Sequence, residues 1–196
     1  MFARVFIGTA VGAVVATSAV AQTASKPDGA WRGSTSLSAT LAGGNTKSTN
    51  IGFNADAVRQ TNIDKLGFYA QHLYGKNSGV TNAQQTRLGA RYDRDLDDRL
   101  YAFGGLDLEK NKPADVKLRI LPQVGLGYHV IKSEPTTFNI FGGLAYSDTN
   151  RYVATDTSGL EGMVGEESIH KISATTSFRQ RLTVFQGFKS ELGHRT

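Results

Sequence analysis

The sequence predicts an all-β protein: an antiparallel up-and-down transmembrane β-barrel with eight recognisable strands, a partial ninth, and a sheet that need not close. Three observations predict it. From Trp31 onward the dominant apolar period is two, one of the two faces so defined carries full charges in mid-strand, and the other gathers aromatic rings at two levels. A helix would scatter those charges around its circumference, whereas a strand sorts them onto one side.

The 196-residue chain opens with a leader. Arg4 supplies a positive charge, Val5 to Gly8 and Ala10 to Ala16 an apolar core, and Ala19-Val20-Ala21 the small-x-small pattern that signal peptidase accepts. That core is short for a membrane span of about 20 residues. Residues 1–21 therefore read as a signal peptide cleaved before Gln22, residues 22–30 as a periplasmic N-terminal segment, and residues 31–196 as the barrel domain.

In the first strand, Trp31, Thr35, Leu37, Ala39 and Leu41 alternate with Arg32, Ser34, Ser36, Ser38 and Thr40. In the second, Ile51, Phe53, Ala55 and Ala57 alternate with Asn50, Asn54 and Asp56. Leu88, Ala90 and Tyr92 alternate with Arg87, Arg91 and Asp93, and Val116 to Val130 carries an apolar side chain at every even position. Phe138, Ile140, Leu144 and Tyr146 follow the same rule. Segments 66–75, 99–109, 168–178 and 183–190 fit less cleanly and complete the set, the last as the partial strand. Polar stretches at 43–46, 76–82, 110–115 and 148–167 read as long loops, and 62–64, 95–98 and 132–135 as tight turns at the other end. Pro122, which lacks an amide donor in mid-strand, predicts a bulge.

With the first strand running upward, Trp31, Phe68, Tyr92, Tyr128 and Phe138 fall near the lower rim of the apolar face, and Phe53, Tyr74 and Tyr146 near the upper. Two levels of amphipathic rings suit the two interfaces of a bilayer. The opposite face carries a candidate lumenal charge ladder of Arg87, Arg91, Asp107, Glu109, Lys117 and Arg119. A hairpin centred on Pro113 would set Glu109 opposite Lys117 and Asp107 opposite Arg119, with Arg87 diagonal to Asp107.

Composition and motifs narrow the function classes. There is no cysteine, so disulfide scaffolds and thiol chemistry are excluded. The net charge of +5 comes from scattered residues and implies no nucleic-acid partner. Gly125-Leu126-Gly127 lacks the third glycine and the helix of a dinucleotide fingerprint. Asp93, Asp95 and Asp97 have the spacing of a calcium loop, but Asp98 stands where glycine must turn and Gly104 where a bidentate glutamate belongs. His72 with Ser78, and Ser168 with His170, are the pairs a rim hydrolase could use; each reads more simply as ordinary strand and loop residues. No catalytic residue, cofactor or metal is expected.

The segments Leu41 to Thr61 (LAGGNTKSTNIGFNADAVRQT), Leu73 to Gly79 (LYGKNSG), Thr86 to Leu96 (TRLGARYDRDL), Asp98 to Glu109 (DRLYAFGGLDLE) and Val124 to Ile131 (VGLGYHVI) occur in order. As a set they resemble the YdiY-like family of salt-induced outer-membrane proteins of Gram-negative bacteria. The resemblance implies an outer-membrane β-barrel without known catalytic residues, linked by its family name to salt or osmotic response. Members usually continue for further strands and end on an aromatic residue that the outer-membrane insertion machinery reads. Here the tail from Ser190 to Thr196 is polar, which predicts a C-terminally truncated barrel.

The expected function is thus a structural or pore-like role in the outer membrane, with lipids and the insertion machinery as partners and a small solute as an open question. Two rivals stand beside it. A soluble periplasmic, lipocalin-like barrel binding an apolar ligand would point Leu118, Ile120, Leu126, Ile140 and Leu144 inward; a barrel hydrolase would work at the rim.

Overall fold

The computed structural model describes residues 27–43, 47–133, 135–173, 176–188 and 194–195; the leader lies outside them. Its elements are β1 (Trp31–Ala42), β2 (Ser48–Gln60), β3 (Asp64–Asn77), β4 (Val80–Asp95), β5 (Leu100–Asn111), β6 (Val116–Lys132), β7 (Thr136–Arg151), β8 (Thr157–Lys171), β9 (Ser177–Gly187) and β10 (His194–Arg195). All are strands of one antiparallel sheet whose spatial order is the chain order. This is the up-and-down topology that the alternation predicts. Among the described residues β1 pairs with β2 alone, so the sheet is not closed.

Side chains at odd positions of β3 to β5, and of β7 to β9, share one face, here called inner. Tyr101, Phe103, Leu121, Phe141, Ala145 and Met163 are buried there as one cluster, with Phe185 packed against it. A lone sheet can bury a cluster on one side only by curling around it. The opposite, outer face leaves Val124, Leu126, Ile140, Leu144, Val164 and Leu182 exposed, Val124 and Val164 at 62%.

Close packing inside is built from aromatic residues set directly opposite glycines. Tyr101 faces Gly127 and Phe103 faces Gly125 across the β5–β6 ladder, Phe141 faces Gly165 across β7–β8, and Tyr69 faces Gly89 across β3–β4. A Cβ at Gly127 would fall 2.1 Å from the Tyr101 ring, so each ring occupies space that only a missing side chain provides.

Four expectations are corrected. The ninth strand is whole, with 11 residues, and the two-residue β10 follows it. The polar stretch 148–167 is mostly strand, its loop shrinking to 152–156, while inside the expected strand 168–178 the strand β8 ends at Lys171 and β9 begins at Ser177, with the Ile172 and Ser173 amides donating to the Thr176 carbonyl between them. The cause is that β8 points Gly159, Glu161, Gly165 and Glu167 inward, so polarity there marks the inner face rather than a loop. The two ends of the sheet also do not differ in loop length: Ser78 and Gly79 alone join β3 to β4, both with positive φ, the mirror-image turn that matches strand twist. Finally, there is no bulge at Pro122. It pairs opposite Leu106, and the β6–β7 register is the same on either side of Leu121 and Pro122, which the ladder to β7 skips. Bulges lie instead near Lys117 and Val130.

Candidate functional site: the inner face

Two polar layers flank the aromatic cluster. In the upper one, towards the end that carries the Ser78–Gly79 turn, Glu109 pairs directly with Arg119, whose Nη1 donates to Glu109 Oε2 at 3.1 Å. Gln85 Nε2 also donates to Glu109, at 2.9 Å, and Arg119 Nε donates to Thr149 Oγ1 at 3.0 Å. Asp107 accepts from the Tyr69 hydroxyl and from Gln123 Nε2. Buried Ser147, Thr149 and Glu161 complete this layer.

This differs from the expected ladder in register. The β5–β6 hairpin sets Asp107 opposite Leu121 and Glu109 opposite Arg119, two residues from the expected pairing, and Arg87 directly opposite Glu109. One residue of the displacement comes from the turn, which pairs Asn111 with Val116, and the other from a bulge in β6 around Lys117. It buries Val116 at 2% and leaves Lys117 exposed, so Lys117 stands outside the ladder.

The lower layer lies towards the 61–63 and 96–99 turns. Arg91 Nε donates to Asp93 at 2.7 Å, and its guanidinium sits 4.0 Å from the Phe103 ring centroid and 5.3 Å from that of Phe141. Arg181 approaches the same Phe141 ring at 5.1 Å. His129 stacks on Tyr101 at 4.8 Å and joins Asp95 to Asn139, while Lys132 Nζ donates to Asp95 at 2.7 Å. Tyr69, Gln123, Glu161, Glu167 and Arg181 were not among the expected site residues. For Tyr69, Glu167 and Arg181 the signal was alternation in segments where it is weak.

The expected girdle residues are all placed on the outer face. Trp31, Phe68, Tyr92, Tyr128 and Tyr146 are exposed, and Tyr74 and Phe138 half-buried. Trp31 stacks on Phe68 at 5.9 Å, and the Tyr128 hydroxyl accepts from Arg99 at 3.2 Å. Leu126, Ile140 and Leu144 are exposed on this face and Leu118 and Ile120 half-buried, the inverse of what a soluble ligand-holding barrel requires. His72 Nδ1 hydrogen-bonds Thr86 and His170 Nδ1 hydrogen-bonds Thr136, so neither ring is turned to Ser78 or Ser168 among the described residues.

Two connections are held by carboxylates. Asp97 accepts from the amides of Arg99 and Leu100, both at 2.7 Å, and Asp115 from those of Ala154, Val153 and Tyr152. These amides keep both carboxyls below the usual carboxylate range.

The chain is thus a single curled sheet, apolar outside and ionic within, and one family's sequence pattern spans its strands. Residues 35–196 match the family described as "Protein of unknown function, DUF481", the YdiY-like outer-membrane family. The chain belongs to it. No curated protein and no solved structure matches the chain. The DUF481 match takes in β2 to β10, most of β1, and every residue of both inner layers.

Proposed function

We propose that this DUF481 member is an outer-membrane β-barrel protein with a structural or pore-like role, reached after removal of its leader before Gln22. The observation that carries the reading is the sorting of its faces. The outer face presents Val124, Leu126, Ile140, Leu144, Val164 and Leu182 to its surroundings, while paired ions such as Glu109–Arg119 stay inside. In water such an apolar surface is a liability; in hydrocarbon it is the ordinary exterior of a spanning sheet.

The inner face is largely occupied by side chains, as in small barrels whose interiors they fill, and this favours the structural role over a wide channel. Its partners on this reading are outer-membrane lipids and the machinery that inserts barrels. The link to salt or osmotic stress follows from the family name alone. Fractionation tests the proposal: extraction by detergent only, with heat-modifiable migration on gels, is expected. Release into the periplasmic fraction by osmotic shock would refute it. Growth of a deletion strain at raised sodium chloride tests the stress role.

A further inference from the structure

Among the described residues, the lower inner layer sets basic side chains around two carboxylates. Lys65 on β3 stands opposite Asp93 on β4, and Arg181 on β9 opposite Glu167 on β8. Arg91 precedes Asp93 by two residues on β4, and Arg179 precedes Arg181 by two on β9. Although β4 and β9 are far apart in the sheet order, Arg91 and Arg181 reach the same Phe141 ring and Arg181 Nη1 lies 3.9 Å from Glu167 Oε2, so the curl brings the two arginines together beside one carboxylate, which also lies in the field of Lys65. Asp93, bonded to Arg91, is the second. The neighbouring Asp95–Lys132 pair adds no net charge.

The geometry points to a bound partner. Arg91 and Arg181 approach one ring, that of Phe141, with guanidinium carbons 5.3 and 5.1 Å from its centroid. Two like charges on one ring repel, and the ring's negative face offsets this only in part. Arg91 Nη1 is buried and has no hydrogen-bond partner among the described residues. Buried donors in native proteins are satisfied by protein, water or ligand. We infer that this cluster is a binding site for a small oxyanion, a phosphate or carboxylate group held between the Arg91 and Arg181 guanidiniums with Lys65 at its lip. Guanidinium forks match two oxygens of such a group, and the aromatic backing keeps both forks oriented.

The test is titration calorimetry of the full chain in detergent micelles at low ionic strength, with inorganic phosphate and, separately, acetate. Saturable phosphate binding is expected, weakened at least tenfold by Arg181→Gln and also lost in part with Lys65→Met. Arg99→Gln, a surface cation on the outer side, should leave it unchanged. Acetate competing for the same site extends the assignment to carboxylates, and phosphate binding alone restricts it to phosphates. Absence of saturable binding by either anion, or binding indifferent to both substitutions, would overturn the inference. If Arg181→Gln does not fold, Lys65→Met carries the test. The site is on the inner face, so the outcome is independent of the fractionation result.

Discussion

The ring of Phe103 stands where a side chain at Gly125 would have to go. A Cβ there would meet Phe103 Cζ at 2.5 Å and the Gly142 carbonyl oxygen at 2.3 Å, and the second contact is backbone, which does not swing away. Gly125→Ala should therefore destabilise the sheet by about 1–3 kcal/mol, the usual range for overpacking. Gly142→Ala is the comparison. Its Cβ would reach the nearest atoms at 3.6 and 3.9 Å, and it should stay within about 0.5 kcal/mol of wild type. Urea unfolding of both variants in micelles measures the difference.

The Glu109–Arg119 pair predicts a coupling. The two side chains are 15% and 20% exposed and bonded at 3.1 Å, so removing one leaves the other charge half-buried. A double-mutant cycle with Glu109→Gln and Arg119→Gln should give an interaction of about 0.5–3 kcal/mol. Lys117→Gln should change stability by no more than about 0.5 kcal/mol, because Lys117 is exposed at the bulge. Strong coupling of Glu109 to Lys117 instead would refute the observed register.

An arginine on the outer face separates lipid from water as its solvent. Leu126 is 53% exposed. At the midplane of a bilayer, Leu126→Arg should cost about 2–4 kcal/mol of folding free energy, read by folding into liposomes. In a water-facing sheet the same change would be close to neutral.

Asp115 gives a pH dependence with a definite sign. Its carboxyl, held below the usual range by the amides of Ala154, Val153 and Tyr152, binds its proton less readily folded than unfolded. The clamp on the 152–156 loop is therefore complete at neutral pH and is lost as pH falls through the lowered folded-state value. Protection of the amides of residues 152–154 against exchange, relative to the unfolded-chain rate at the same pH, should be high at pH 7 and be lost as the Asp115 carboxyl takes up its proton. Asp115→Asn tolerates the same positive φ of 60° but removes the charge, and should show fast exchange already at pH 7.

How much of this was legible beforehand depended on which face a strand's contrast falls. β1, β2, β6 and β7 set apolar side chains against polar ones, and their alternation located them and assigned their outer faces. β8 carries Glu161, Gly165 and Glu167 inward and Glu166 and Ser168 outward, so polarity alternates too weakly to separate strand from loop. The expected loop at 148–167, which took in Glu161 and Glu167, follows from that one ambiguity.

By itself the sequence determined the period of two, the all-β class, the order of the strands and which side chains share a face, because these depend on each residue and its near neighbours. Register, curl and the lower cationic layer were decided only in three dimensions. A single extra residue at Lys117 shifts what Glu109 meets, and no local pattern records that Arg91 on β4 and Arg181 on β9 reach the one ring of Phe141 once the sheet bends.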